Sequence, residues 1–129
     1  MAYQFGERSK INRLGVDSRL IQISDLAIQI TKIDFGIPAD GGLRSAERQA
    51  ELFEAGKSKA DGLTRKSYHQ SGRALDVYAY VDGQASWDEN HLALVAAAML
   101  QAASQLGHKV EWGGLWQSFV DMPHFQLSD

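Results

Sequence analysis

The chain has 129 residues, 44% of them hydrophobic and 22% charged, with formal net charge −3 and no cysteine. That profile predicts one soluble globular domain over residues 1–129. It argues against a nucleic-acid partner, which would need concentrated Lys and Arg, and excludes disulfides and thiolate metal sites. No apolar run approaches the roughly 20 residues of a membrane span, and the opening MAYQFGERSK lacks the apolar core of a signal peptide, so synthesis in the cytosol without membrane insertion is expected.

Taken in chain order, the first helix is expected over residues 17–31. Leu20, Ile23, Leu26, Ala27 and Ile30 recur at helical spacing there, and Asp17 is placed to cap the start. IDFGIPADGG reads as a short strand entering a glycine-rich turn. SAERQAELFEAG predicts a second helix, with Ser45 as N-cap, Glu47 in the positive first turn and Gly56 as terminator.

KSKADGLTRKS is polar and aperiodic, an exposed loop. ALDVYAYV alternates as one strand, with Leu75, Val77, Ala79 and Val81 on one face and Asp76, Tyr78 and Tyr80 on the other, ended by an Asp82-Gly83 turn. A third, alanine-rich helix follows over residues 87–106 and stops at Gly107. HKVEW and PHFQL read as two late strands around the loop GGLWQSFVD. Late-clustered strands that do not alternate strictly with helices predict an α+β fold, helices packed against a small antiparallel sheet.

Two fragments carry chemistry. SYHQSGRALD places His69 and Asp76 seven positions apart, and DMPHF places Asp121 three before His124. A catalytic zinc site takes three His or carboxylate ligands and leaves a fourth position for water. In an extended chain His69 and Asp76 would be roughly 23 Å apart. One ion therefore requires a fold-back, for which Gln70-Ser71-Gly72 supplies the turn. Pro123 belongs at a strand start or edge. In the strand after it His124 and Gln126 share the face opposite Phe125 and Leu127, and Asp121 sits where a general base for a bound water is wanted.

S-x-H-x-x-G-x-A-x-D, matched by Ser67, His69, Gly72, Ala74 and Asp76, together with a late acid-x-x-His, resembles the zinc D-alanyl-D-alanine carboxypeptidases of the VanY type. It is similar above all to their small phage relatives, the L-alanyl-D-glutamate peptidase endolysins. GLRSAERQAELF and EWGGLW extend the resemblance, which runs over residues 43–126.

The resemblance implies a hedgehog/D-Ala-D-Ala-peptidase-like α+β fold. It implies one catalytic Zn2+ held by His69, Asp76 and His124, Asp121 as catalytic base where many relatives carry glutamate, and Arg44 steadying the substrate carbonyl or oxyanion. The implied substrate is a peptidoglycan stem peptide. The implied role is that of a monomeric phage lysis enzyme without a separate wall-binding domain, which another protein releases across the inner membrane. A D,D-carboxypeptidase or dipeptidase, or a zinc-containing binding module, are the rival readings.

Each candidate has a plainer role beside the functional one. Glu111 competes with Asp121 as the acid, and Arg44 could pair with Glu47 or Glu51. Ser67 is an orienter rather than a nucleophile. Gln49 either reaches the site or lies on a solvated face. Trp112 and Trp116 are pocket walls or core. His91 and His108, without spaced carboxylates, are ordinary histidines. GKS at residues 56–58 is no phosphate loop, because that motif needs glycine where Glu51 stands. Lys57, Lys59, Arg65, Lys66 and Arg73 form either a solvated rim or a surface that attracts stem-peptide carboxylates.

Overall fold

The computed structural model describes residues 2–129. Its elements run α1 (Glu7–Asn12), α2 (Ser18–Ile30), β1 (Phe35–Gly36), α3 (Ala46–Glu54), β2 (Ala74–Asp76), β3 (Tyr78–Val81), β4 (Gln84–Ser86), α4 (Glu89–Leu106), β5 (Val110–Trp112) and β6 (His124–Leu127). Short 3-10 turns at Tyr68–Ser71 and Gly113–Leu115 complete them. The α+β class is as expected, but the strands form two three-stranded antiparallel sheets rather than one, ordered β1-β3-β4 and β2-β6-β5.

The caps act as read. Asp17 accepts from Arg19 N at the head of α2, and Ser45 accepts from Arg48 N at the head of α3. On α4 the cap is Asp88, which accepts from the amides of Asn90 and His91, so Trp87 lies outside the helix and tilts against Tyr78. Gly107 closes α4 in the left-handed conformation, φ 75°. α1 and β4 have no counterpart in the sequence reading. α1 is a six-residue helix with no side-chain cap, too short for periodicity to reveal. β4 follows Asp82 and Gly83, both at positive φ, a pair suited to a tight hairpin turn.

ALDVYAYV is not one strand. It breaks at Val77, whose amide bonds to Pro123 O, so that β2 joins β6 while β3 crosses to β1 and β4. The alternation survives the break. Leu75, Val77 and Ala79 are fully buried, and Asp76 turns toward the other side. They share one core with Phe125 and Leu127 of β6, and α2 packs against α4, the two helices contributing Leu20, Ile23, Val95, Met99 and Ala102 to the same core. Truncating Phe125 to alanine would cost roughly 3–5 kcal/mol and would loosen the strand that carries His124. Among the described residues no helix is long and apolar enough to cross a membrane.

Candidate metal and catalytic site

His69, Asp76 and His124 converge although 48 positions separate the last two. The 3-10 turn turns the chain between the first two. Ser67 caps it by accepting from His69 N, Gln70 returns a bond to the Ser67 amide, and Gly72 ends it at φ 73°. A Cβ on Gly72 would stand 2.7 Å from Gly15 O, so any other residue there meets both a left-handed backbone and a blocked space. β2 then pairs with β6 in a register that sets Asp76 directly opposite His124.

Asp76 Oδ1 lies 3.2 Å from His69 Nε2 and 3.1 Å from His124 Nδ1. His69 Nδ1 faces Gly42 O at 3.0 Å; because a carbonyl only accepts, the proton sits on Nδ1 and the Nε2 lone pair points at Asp76. Among the described residues that buried Nε2 has no hydrogen-bond partner. An orphaned imidazole nitrogen facing a carboxylate oxygen is what a cation would satisfy. Ligands at 2.0–2.1 Å in a tetrahedron stand about 3.3 Å apart, which the Asp76 separations approach. The donor set therefore fits a metal ion of the zinc type. Burial opposes ionisation of Asp76, yet when the two facing imidazoles are protonated their charge and hydrogen bonds outweigh it and hold its carboxyl well below the usual range. For His124 burial disfavours the charged form, but Asp76 prevails and raises its pKa.

Arg44 braces this triad. Its Nη2 donates to Asp76 Oδ2 (3.2 Å), Nη1 to Gln49 Oε1 (3.0 Å) and Nε to Asp40 O (2.8 Å). It pairs with neither Glu47 nor Glu51; Arg48 takes the nearby acids instead. Gln49 is on no solvated face. It is 0% exposed, and its amide donates to Ser58 Oγ and Ala60 O, locking α3, the loop after it and Arg44 together.

Trp112 belongs to the core side, stacked on Phe125 and donating to Met122 O, whereas the Trp116 ring tilts against His124, 5.4 Å between centroids, and forms a wall. A cleft of about 680 Å³ opens over the triad, lined by Arg44, Ser67, Trp116 and Asp121 among others. Asp121 is held by its amide to Gly113 O (3.0 Å), and a Cβ on Gly113 would stand 2.3 Å from Asp121 O. Only glycine permits this approach. Burial, and then the Asp76 carboxylate, raise the pKa of Asp121 against the pull of His124, His69 and Arg44.

Glu111 lies elsewhere, on β5, where it accepts from Gln126. Of the basic residues, Lys57, Lys59 and Lys66 line the cleft, while Arg73 is tied to Asp129. His91 bonds Ser86 and His108 bonds Gln22, both outside the cleft. The sequence reading missed the Gly42 carbonyl, which no side-chain motif can announce. It also missed Phe119, an exposed aromatic at φ 53° whose ring lies 5.2 Å from Lys59 Nζ across the cleft mouth.

The chain is 28% identical over 122 residues to the L-alanyl-D-glutamate peptidase of Escherichia phage T5, an alignment covering 94% of this chain and 87% of that one. It is 31% identical to the peptidoglycan L-alanyl-D-glutamate endopeptidase CwlK of Bacillus subtilis, over 67% of this chain and 57% of that protein. Its fold matches the crystal structure of the Serratia marcescens L-Ala D-Glu endopeptidase ChiX with a TM-score of 0.85 at 38% identity, covering 97% of this chain and 90% of the other. The family model described as phage L-alanyl-D-glutamate peptidase matches residues 1–127, and the chain belongs to that family.

Proposed function

We propose that residues 1–129 act as one catalytic unit, a zinc peptidase that hydrolyses the L-alanyl-D-glutamate bond of peptidoglycan stem peptides. The observation that carries the reading is the convergence of His69 Nε2, Asp76 Oδ1 and His124 Nδ1 on one point beneath a cleft that also holds Asp121. The three named relatives support the bond and the substrate. The match to the peptidase of Escherichia phage T5 supports a role in phage lysis, with the cell wall as the place of action.

A zinc ion held by the triad would supply Lewis acidity, activating a water and polarising the scissile carbonyl. The chain's own residues do the rest. Asp121, its carboxylate made more basic by burial, takes a proton from the attacking water and returns it to the leaving amine of D-glutamate. Arg44 spends three N–H groups on Asp76, Gln49 and Asp40, and its remaining two can face the oxyanion from the cleft wall. Trp116 bounds the pocket beside His124. Lys57, Lys59 and Lys66 draw the carboxylates of the stem peptide toward the cleft.

Digestion of purified peptidoglycan with and without chelator, followed by mass spectrometry, tests this. New amino termini on D-glutamate, lost on chelation and restored by zinc, are expected. Release of terminal D-alanine would replace the endopeptidase with a carboxypeptidase. Absence of any cleavage by zinc-loaded protein would leave a binding module.

A further inference from the structure

Two residues beyond His124 on the same face of β6 stands Gln126, a polar side chain that the metal triad and the general base leave unexplained. Gln126 Oε1 lies 2.8 Å from His124 Nε2, and Gln126 Nε2 donates to Glu111 Oε2 at 3.2 Å. The register brings them together, since β5 pairs with β6 so that Glu111 is directly opposite Gln126, and opposed residues of a ladder share a face.

Each group in this row restricts the next. An ionised carboxylate only accepts, so the amide must turn its NH2 toward Glu111 and its oxygen toward His124. An amide oxygen also only accepts, so His124 Nε2 carries the imidazole proton. In the neutral imidazole that a metal would bind, His124 Nδ1 is then left with a lone pair aimed at the point where Asp76 Oδ1 (3.1 Å away) and His69 Nε2 also converge.

We infer that Gln126, aligned by Glu111, is a positioning residue that holds His124 in the tautomer whose Nδ1 can bind a metal. The inference rests on the reading of the triad as a zinc site. It gives Glu111, the acid that rivals Asp121 on sequence grounds, a place behind the ligand rather than over the substrate. His69 is set by the same logic with different parts, its Nδ1 proton fixed by the Gly42 backbone carbonyl. One ligand's tautomer is thus written into the main chain and the other's into two replaceable side chains. Losing such an outer partner typically weakens metal binding about 10- to 100-fold.

Three measurements on the full chain test this. Zinc affinity by chelator competition should fall roughly 10- to 100-fold in Gln126→Leu, with the circular dichroism of the fold unchanged. The double variant Glu111→Gln with Gln126→Glu reverses the row yet keeps an acceptor facing Nε2, and should recover most of that affinity. In zinc-loaded wild type, long-range proton–nitrogen NMR should show His124 protonated at Nε2 with Nδ1 metal-bound. Unchanged affinity in Gln126→Leu, or a proton on Nδ1 in wild type, would overturn the assignment while leaving the zinc site standing. Failure of wild type to bind zinc at all would overturn both.

Discussion

His69, Asp76 and His124 stand on backbone tied down on both sides, whereas Lys57, Lys59, Phe119 and Asp121 stand on loops. The first group is held by the β2–β6 ladder, a capped turn and the core beneath Leu75 and Phe125. On the loop side, Lys57 and Lys59 reach the cleft from the segment after α3, anchored from below by Gln49. Phe119 is 69% exposed and occupies a backbone region unfavourable for a bulky residue. A ligand site must keep its donors within tenths of an ångström, so it is built where packing leaves no alternative. A peptide-binding rim has to admit and release a chain, and loops permit that.

The comparison breaks most sharply at Asp121, the loop residue assigned to chemistry. Asp121→Asn should lower kcat by roughly 10²- to 10⁴-fold, with zinc content measured by metal analysis unchanged. A base works only when deprotonated. Because the Asp121 pKa is raised, the acidic limb of kcat/KM in wild type should lie above the 3.8 of an ordinary aspartate. Residual activity in the variant should lack that limb. A variant that turns over normally would end the base assignment.

Gln49→Leu probes the join between the two regions. It removes the acceptor for Arg44 and the donor for Ser58 and Ala60 at a fully buried position. Unfolding in urea should show a loss of about 1–3 kcal/mol. Zinc affinity should weaken too, since Arg44 is one of the groups that orient Asp76. A loss of stability alone would confine Gln49 to the scaffold.

On the rim, replacing Lys57, Lys59 and Lys66 together by glutamine should raise KM roughly tenfold at low salt and leave kcat nearly unchanged. The difference should vanish at high ionic strength, where exposed charges are screened. A KM that ignores salt would show these lysines to be a solvated edge only.

The smallest effect is expected at Asp129, which accepts from Arg19 and Arg73 just beyond β6. Those guanidinium partners hold its pKa at about 2, below the 3.8 of the free side chain. A depressed folded-state pKa contributes stability that is present above the unfolded value and lost as pH falls through the folded one. Asp129→Asn should therefore lower the melting temperature slightly above pH 4 and converge with wild type near pH 2. Equal melting curves at every pH would mean that the pair adds nothing.

Much of the site could be read from the chain because its signals are local. A histidine before a glycine turn, an aspartate on the polar face of an alternating strand, and an acid-Met-Pro-His fragment each declare a conformation within a few residues. Helix caps at Asp17 and Ser45 were legible for the same reason. The break at Val77 was not, since both halves of ALDVYAYV alternate in phase and only the partner strands distinguish them.

The sequence by itself determined which side chains have the chemistry of metal ligands and which strand face Asp76 and His124 occupy, because the two-residue period of a strand is a property of the backbone. Tertiary structure decided the partnerships. Arg44 on Asp76 rather than Glu47, Gln49 buried rather than solvated, and Glu111 behind His124 rather than beside Asp121 all follow from pairing register and packing. Those contacts join residues far apart in the chain, and nothing within a few residues of either member encodes them.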